Sequence, residues 1–141
     1  MKLFVDIWGW LTLHYKNESK HQETVNLYRR FTSQNQRIYT TDYVLDETFT
    51  LFFKRLHPAL ASQSMKLLIE VFKAEKFNLV WITEERFFKA QELRIKFVDK
   101  PLISFTDLTS MVVMKEFGIE CVLTGDAHFI QVCMGFQKIP Q

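Results

Sequence analysis

The chain has 141 residues, of which 48% are hydrophobic and 15% aromatic, and a formal net charge of +2. This length predicts one compact domain over residues 1–141, able to bury a core without disulfides or a structural metal, and the composition is too apolar for disorder. The balanced charge excludes a protein that grips nucleic acid over its whole surface, so any such contact must be local. Cys121 and Cys133 are the only cysteines and lack metal-ligand spacing. They read as free thiols of a reducing cytosol. The N-terminal run meets a carboxylate at Asp6 too early for a signal-peptide core, and no apolar stretch approaches bilayer length. The expectation is a soluble, cytoplasmic protein with no membrane partner.

In chain order, the apolar pattern alternates between short strand-like runs and longer helical ones. Residues 3–5 predict a first strand, followed by residues 7–15 and a polar loop. Val25, Tyr28 and Phe31 recur at helical spacing and place an amphipathic helix over residues 20–32. A second strand covers 37–40. Thr41 is the predicted N-cap of the next helix, with Asp42 in its first turn and Val44, Leu45, Thr48, Phe49, Phe52 and Leu56 as its buried stripe. Pro58 ends it, and residues 60–73 form a further helix. Residues 77–82 alternate like a third strand. Thr83, followed by two acids, caps a helix whose core face is Ala90, Leu93 and Phe97.

Beyond that helix, Pro101 predicts an extended link to Ser104. Thr106 is then the predicted cap of a nearly all-apolar, hence buried, helix that Gly118 stops. Residues 119–123 predict a central parallel strand and 136–139 a short last one. Strands alternating with helices predict an α/β fold with a doubly wound, mostly parallel sheet flanked by helices, since parallel strands need crossover connections.

Four acids fall where an apolar run ends or a helix begins: Asp6, Glu47, Asp107 and Asp126. Asp6 closes the first strand, and Asp126 follows Thr124 with one glycine between. In an open parallel sheet the ligand crevice lies beyond the carboxyl ends of the strands, so both point to the same edge. Carboxylates gathered there repel one another unless a hard divalent cation neutralises them, and Mg²⁺ or Mn²⁺ suits an all-oxygen ligand set. The chemistry suggested is metal-assisted attack on a phosphodiester. Glu47 is flanked by buried-type residues, where an unpaired charge would cost about 3 kcal/mol or more.

At these residues the chain resembles the PIN-domain ribonucleases, in particular the VapC-type toxins of toxin–antitoxin pairs. The matching text is Phe4-Val5-Asp6, Thr40-Thr41-Asp42-Tyr43-Val44-Leu45-Asp46-Glu47-Thr48, and Leu102-Ile103-Ser104-Phe105-Thr106-Asp107 through Leu123-Thr124-Gly125-Asp126-Ala127-His128-Phe129. The resemblance implies a PIN-like α/β fold, an acidic Mg²⁺ or Mn²⁺ site, and endonucleolytic hydrolysis of RNA to 5′-phosphate and 3′-hydroxyl ends. On it, Asp6, Glu47, Asp107 and Asp126 are the catalytic positions. Asp6, Asp107 and Asp126 would hold metal, and Glu47 would position or deprotonate the attacking water. It also implies a cognate antitoxin laying a segment along a groove of the toxin, and a homodimer. The bulky residues Trp8, Trp10, Phe49, Phe52 and Phe53 are the predicted source of such surfaces.

One departure is that Ile7-Trp8-Gly9 follows Asp6 where the family often carries a small hydroxyl or amide residue. Thr106 and Thr124 are then the better candidates for orienting the carboxylates. Asp42 and Asp46 read as helix first-turn acids or solvated neighbours, with Asp46 a reserve candidate for the site, His128 as a solvated loop residue, and Trp8 and Trp10 as packing rather than base-stacking groups. Lys54, Arg55, Arg86 and Lys89 read as solvated basic groups. A receiver-type phosphoacceptor domain fits poorly because Asp6 has no acidic neighbour. A non-catalytic PIN-like scaffold and a housekeeping RNA-processing nuclease are the alternatives.

Overall fold

A computed structural model describes residues 1–141. In chain order it comprises β1 (Lys2–Val5), α1 (Ile7–His14), α2 (His21–Ser33), β2 (Arg37–Thr41), α3 (Asp42–Arg55) and α4 (Pro58–Lys73). These are followed by β3 (Asn78–Val80), α5 (Glu84–Lys96), α6 (Phe105–Phe117), β4 (Cys121–Leu123), α7 (His128–Gln131) and β5 (Gln137–Ile139). The five strands form one sheet in the order β3-β2-β1-β4-β5, and every pairing is parallel. The sheet is thus wholly, not mostly, parallel. β1 is its centre, with Leu3 beside Ile38 on one side and Cys121 on the other. Leu3, Phe4 and Val5 have no solvent exposure, as expected for a strand covered on both faces.

The chain moves outward from β1 to β2 to β3, then returns past β1 to β4 and β5. Because parallel crossovers are right-handed, this reversal puts α1–α4 on one face and α5–α7 on the other. It also makes the gap between the carboxyl ends of β1 and β4 the topological switch point, where α/β sheets open a crevice. α6 is buried from Thr106 to Met114 without interruption, which explains its lack of a polar face.

Several local expectations change. Ser104, not Thr106, caps α6. Its hydroxyl accepts from Asp107 N at 3.0 Å while the Asp107 carboxylate accepts from Ser104 N at 3.3 Å, a capping box. The link after Pro101 is turned rather than extended: Lys100 N and Ile103 N donate to Phe97 and Lys100 carbonyls. The Arg94 guanidinium holds that turn by donating to the carbonyls of Phe97, Lys100 and Ile103. Pro58 opens α4 at its first position, where its missing N–H costs nothing, rather than only closing α3. The strand expected over 77–82 is shorter, and α7 has no counterpart in the sequence pattern because four residues are too few for a periodicity to show.

Gly9 is required by a close approach of α1 to the sheet. A Cβ there would lie 2.8 Å from the Leu123 carbonyl oxygen and 2.9 Å from Val5 Cγ1. Gly9→Ala gains up to about 1 kcal/mol of helix propensity but forces rigid backbone apart, an overpacking cost of about 3 kcal/mol. Urea unfolding should therefore show a net loss of roughly 2 kcal/mol. An unchanged midpoint would contradict this packing.

Candidate active site

Asp6 is the N-cap of α1 and directly follows β1. It is 3% exposed. Its Oδ2 accepts a hydrogen bond from Thr124 Oγ1 at 2.9 Å, while its Oδ1 is buried with no partner at all. Asp107 is buried in the first turn of α6, held there by the capping box. Asp126 lies in the loop after β4, where its Oδ1 accepts from His128 N at 2.9 Å. The strand order alone brings Asp6 and Asp126 to the switch point, and the α6 N-terminus delivers Asp107 from the other face of the sheet.

His128 ties two of these acids together. Its Nδ1 lies 2.9 Å from Asp107 Oδ2 and 3.5 Å from Asp126 Oδ1. An ionised carboxylate only accepts, so the ring nitrogen donates. Ligand atoms of Asp107, Asp126 and His128 all lie within 4.8 Å of one another. The expectation of a merely solvated histidine is thus corrected. Its sequence signal is the two-residue step from Asp126, which becomes informative only once α7 curls the ring back over the acids.

Glu47 joins the group indirectly. It projects from α3, and its Oε1 accepts from Thr106 Oγ1 at 2.8 Å, next to Asp107 in the chain. Glu47 is exposed, so the burial cost expected from its apolar neighbours does not arise. Those neighbours point to the other side of the helix. Both small hydroxyls beside the acids therefore hold carboxylates, Thr106 on Glu47 and Thr124 on Asp6. Asp42 serves the fold, accepting from Ile82 N at 2.7 Å and pinning the end of β3. Asp46 faces solvent on α3 and makes no side-chain bond to the group.

The electrostatics follow from burial and like charge. Burial, and then the neighbouring Asp107, raise the Asp6 carboxyl from its ordinary 3.8 to about 7, with Asp126 adding to the rise and the Ile7 N–H dipole and the Thr124 hydroxyl opposing it. Burial also raises Asp107, against the pull of His128. An orphaned buried Asp6 oxygen, raised carboxyls on Asp6 and Asp107, and an Asp126 carboxylate within 4.8 Å of Asp107 fit a hard divalent cation. The donor set is the kind such an ion selects.

The aromatic residues divide. Trp10 is core, 1% exposed, with Nε1 donating to Thr40 Oγ1 at 3.1 Å, and Phe52 is fully buried. Phe53 is exposed and Trp8 half-buried. Arg86 is not a free cation, because it pairs with Glu116 and donates to the Trp81 carbonyl.

Comparison with known proteins places this arrangement. The PIN domain family model matches residues 6–134. Among solved structures, VapC20 of Mycobacterium tuberculosis, described as a sarcin-ricin loop cleaving toxin, is 24% identical with a TM-score of 0.79, over 96% of each chain. VapBC2 of Rickettsia felis, bound to a promoter DNA fragment, is 13% identical with a TM-score of 0.72, over 98% of this chain and 97% of that one. DNA-bound VapBC of Salmonella typhimurium is 14% identical with a TM-score of 0.65, over 98% and 96%. No curated protein matches the chain. With the family model spanning nearly the whole chain over a wholly parallel α/β sheet, the protein belongs to the PIN-domain family.

Proposed function

We propose that the protein is a divalent-metal-dependent endoribonuclease, the toxin of a VapBC-type pair, forming one domain over residues 1–141. The observation that carries this reading is the cluster of Asp107, Asp126 and His128 at the switch point, near enough to the Asp6 carboxyl, with its buried Oδ1, for the charges of Asp107 and Asp126 to raise it. A fold with no catalytic task would gain stability by replacing such a group. Asp6, Asp107 and Asp126 would hold Mg²⁺ or Mn²⁺. A cation so held supplies charge neutralisation for a phosphodiester and makes water a better nucleophile near neutral pH.

The rest of the chemistry falls to the chain's own side chains. Thr124 fixes the Asp6 carboxylate, and the Ser104 capping box fixes Asp107. Thr106 holds Glu47 by Oε1, leaving Oε2 to accept the proton of the attacking water. His128 keeps Asp107 and Asp126 together. Water as nucleophile leaves the 2′-hydroxyl uninvolved and yields 5′-phosphate and 3′-hydroxyl ends.

The antitoxin reading is supported by the relatives' assembly with VapB and by an apolar groove between α1, α2 and α4, lined by Leu13, Val25, Tyr28, Leu67 and Val71. This groove takes Trp10 and Leu13 from the expected segment 7–15 but no residue from 44–56, where Phe52 is buried in the core. No helix is long and apolar enough to cross a membrane, and we place the protein in the cytoplasm as a homodimer.

The test is purified protein incubated with total cellular RNA, with and without Mn²⁺, followed by end mapping. Metal-dependent cuts bearing 5′-phosphates are expected. Intact RNA in every condition would favour a non-catalytic scaffold. Growth arrest on expression alone, relieved by co-expressing the adjacent reading frame, separates the toxin from a housekeeping processing enzyme.

A further inference from the structure

Beside the acid cluster lies a second, small pocket of different character, of about 190 Å³. Its wall is formed by Trp8, Thr124 and Gly125 on one side and by Glu18, Lys20 and Lys138 on the other. Thr124 belongs to both places, since its hydroxyl donates to Asp6. The pocket is therefore the immediate neighbour of the candidate active site on the α1 and β5 side.

The residue pair Trp8 and Gly125 is closely fitted. A Cβ on Gly125 would lie 2.5 Å from Trp8 Nε1 and 2.6 Å from Cδ1 and Cε2, so only glycine lets the indole rest on the loop that carries Asp126. Trp8 sits in the first turn of α1, two residues after Asp6, and remains half-exposed where Trp10 is buried and hydrogen-bonded. Trp8 is partly buried against the core and the Gly125 loop, and the part of its indole that lines the pocket is the surface on which a nucleobase can stack.

The charges differ equally from those of the main site. Lys138 Nζ has a backbone carbonyl as its only partner, Pro140 O at 3.3 Å, and no carboxylate. Lys20 Nζ makes two long contacts, to Gln141 O at 3.4 Å and to Glu23 Oε2 at 3.9 Å. Glu18 is the pocket's one acid. Three carboxylates clustered next door repel a polyanion, so the phosphates flanking the scissile one need cations nearby. These two ammonium groups line the pocket that shares Thr124 with the acid site.

We propose that this pocket is a nucleotide subsite, which takes the RNA residue flanking the scissile phosphate by stacking its base on Trp8 and holding its phosphate with Lys20 and Lys138. It rests on the ribonuclease reading for the position of the scissile phosphate. At about 190 Å³ it is smaller than the roughly 300 Å³ or more of a drug-sized site, so it encloses only part of one nucleotide. Glu18 offers an acceptor to base amino groups such as the cytosine N4 amine.

The test measures binding of a short fluorescein-labelled single-stranded RNA of mixed sequence by anisotropy, with EDTA present so that no cleavage intervenes. Trp8→Ala is expected to weaken binding roughly tenfold, and Trp8→Phe to retain most of the affinity, because stacking survives. The Lys20→Ala/Lys138→Ala double variant is expected to flatten the slope of log affinity against log salt by about 1.4, about 0.7 for each single-strand phosphate that the variant no longer neutralises. Thermal unfolding checks each variant. If Trp8→Ala does not fold, Trp8→Phe and the lysine pair decide. Folded variants that match the wild type in affinity and salt slope overturn the subsite and leave the ribonuclease reading standing. Loss of binding in the variants of a wild type that cuts no RNA with Mn²⁺ keeps the subsite and removes the catalytic reading. A wild type that binds no RNA overturns the subsite, and the cleavage assay with Mn²⁺ then decides the ribonuclease reading by itself.

Discussion

Asp6→Asn is expected to remove RNA cleavage while making the metal-free protein more stable at pH 8. The carboxyl is buried, one oxygen has no partner, and burial followed by Asp107 raises it from 3.8 to about 7. The unfolded chain releases this proton near 3.8 and the folded one near 7, so the folded state binds the extra proton between those values. Stability therefore falls as pH rises through that window and stays reduced above 7. At about 1.4 kcal/mol per unit the full effect is at most about 4 kcal/mol. An amide is still a buried polar group, so about half should be recovered, raising the melting temperature by about 5 °C at pH 8. The gain should shrink below pH 7 and vanish near pH 4. Activity should drop at least about a hundredfold, since even groups that only support metal ligands cost 10- to 100-fold. Paired assays of cleavage and melting across pH provide the check. A variant that cuts RNA like the wild type, or melts lower at pH 8, would refute the role given to Asp6.

Addition of Mn²⁺ to the wild type should raise its stability at pH 8 and do far less at pH 5.5. Any ligand that binds only the folded state stabilises it by mass action, about 2.7 kcal/mol at a hundred times its dissociation constant. For a chain of this size that corresponds to about 7 °C. Protons compete for the same oxygens: as pH falls through 7, Asp6 takes up its proton, and Asp107 is raised in the same direction. The Asp6→Asn/Asp107→Asn double variant should lose the thermal shift at both pH values. Differential scanning fluorimetry with a Mn²⁺ titration measures it. A shift that persists undiminished in the double variant would place cation binding elsewhere.

The strand and helix pattern is legible because each element obeys a local rule. The apolar run ending at Asp6, the Thr41 and Thr83 caps and the left-handed Gly118 are all decided within a few residues. Alternation of strands and helices then leaves a parallel α/β sheet as the economical architecture. The cap of α6 falls to Ser104 rather than to Thr106, because Ser104 has Asp107 three residues on, whose carboxylate accepts from Ser104 N, whereas Thr106 has only Thr109 there.

Which acids follow apolar strand runs is a local property of the chain, and it puts Asp6 and Asp126 at the carboxyl edge of the sheet. How the members connect depends on long-range packing. Glu47 is exposed because its helical phase, which local composition does not set, turns it outward to meet Thr106, 59 positions away. His128 enters the site because α7 folds it onto Asp107, 21 positions away. Trp8 is only partly buried while Trp10 is wholly so, because the reversal of strand order places the Gly125 loop against the one and the core around the other. Contacts between residues so far apart depend on the relative placement of whole elements, and no local periodicity carries that information.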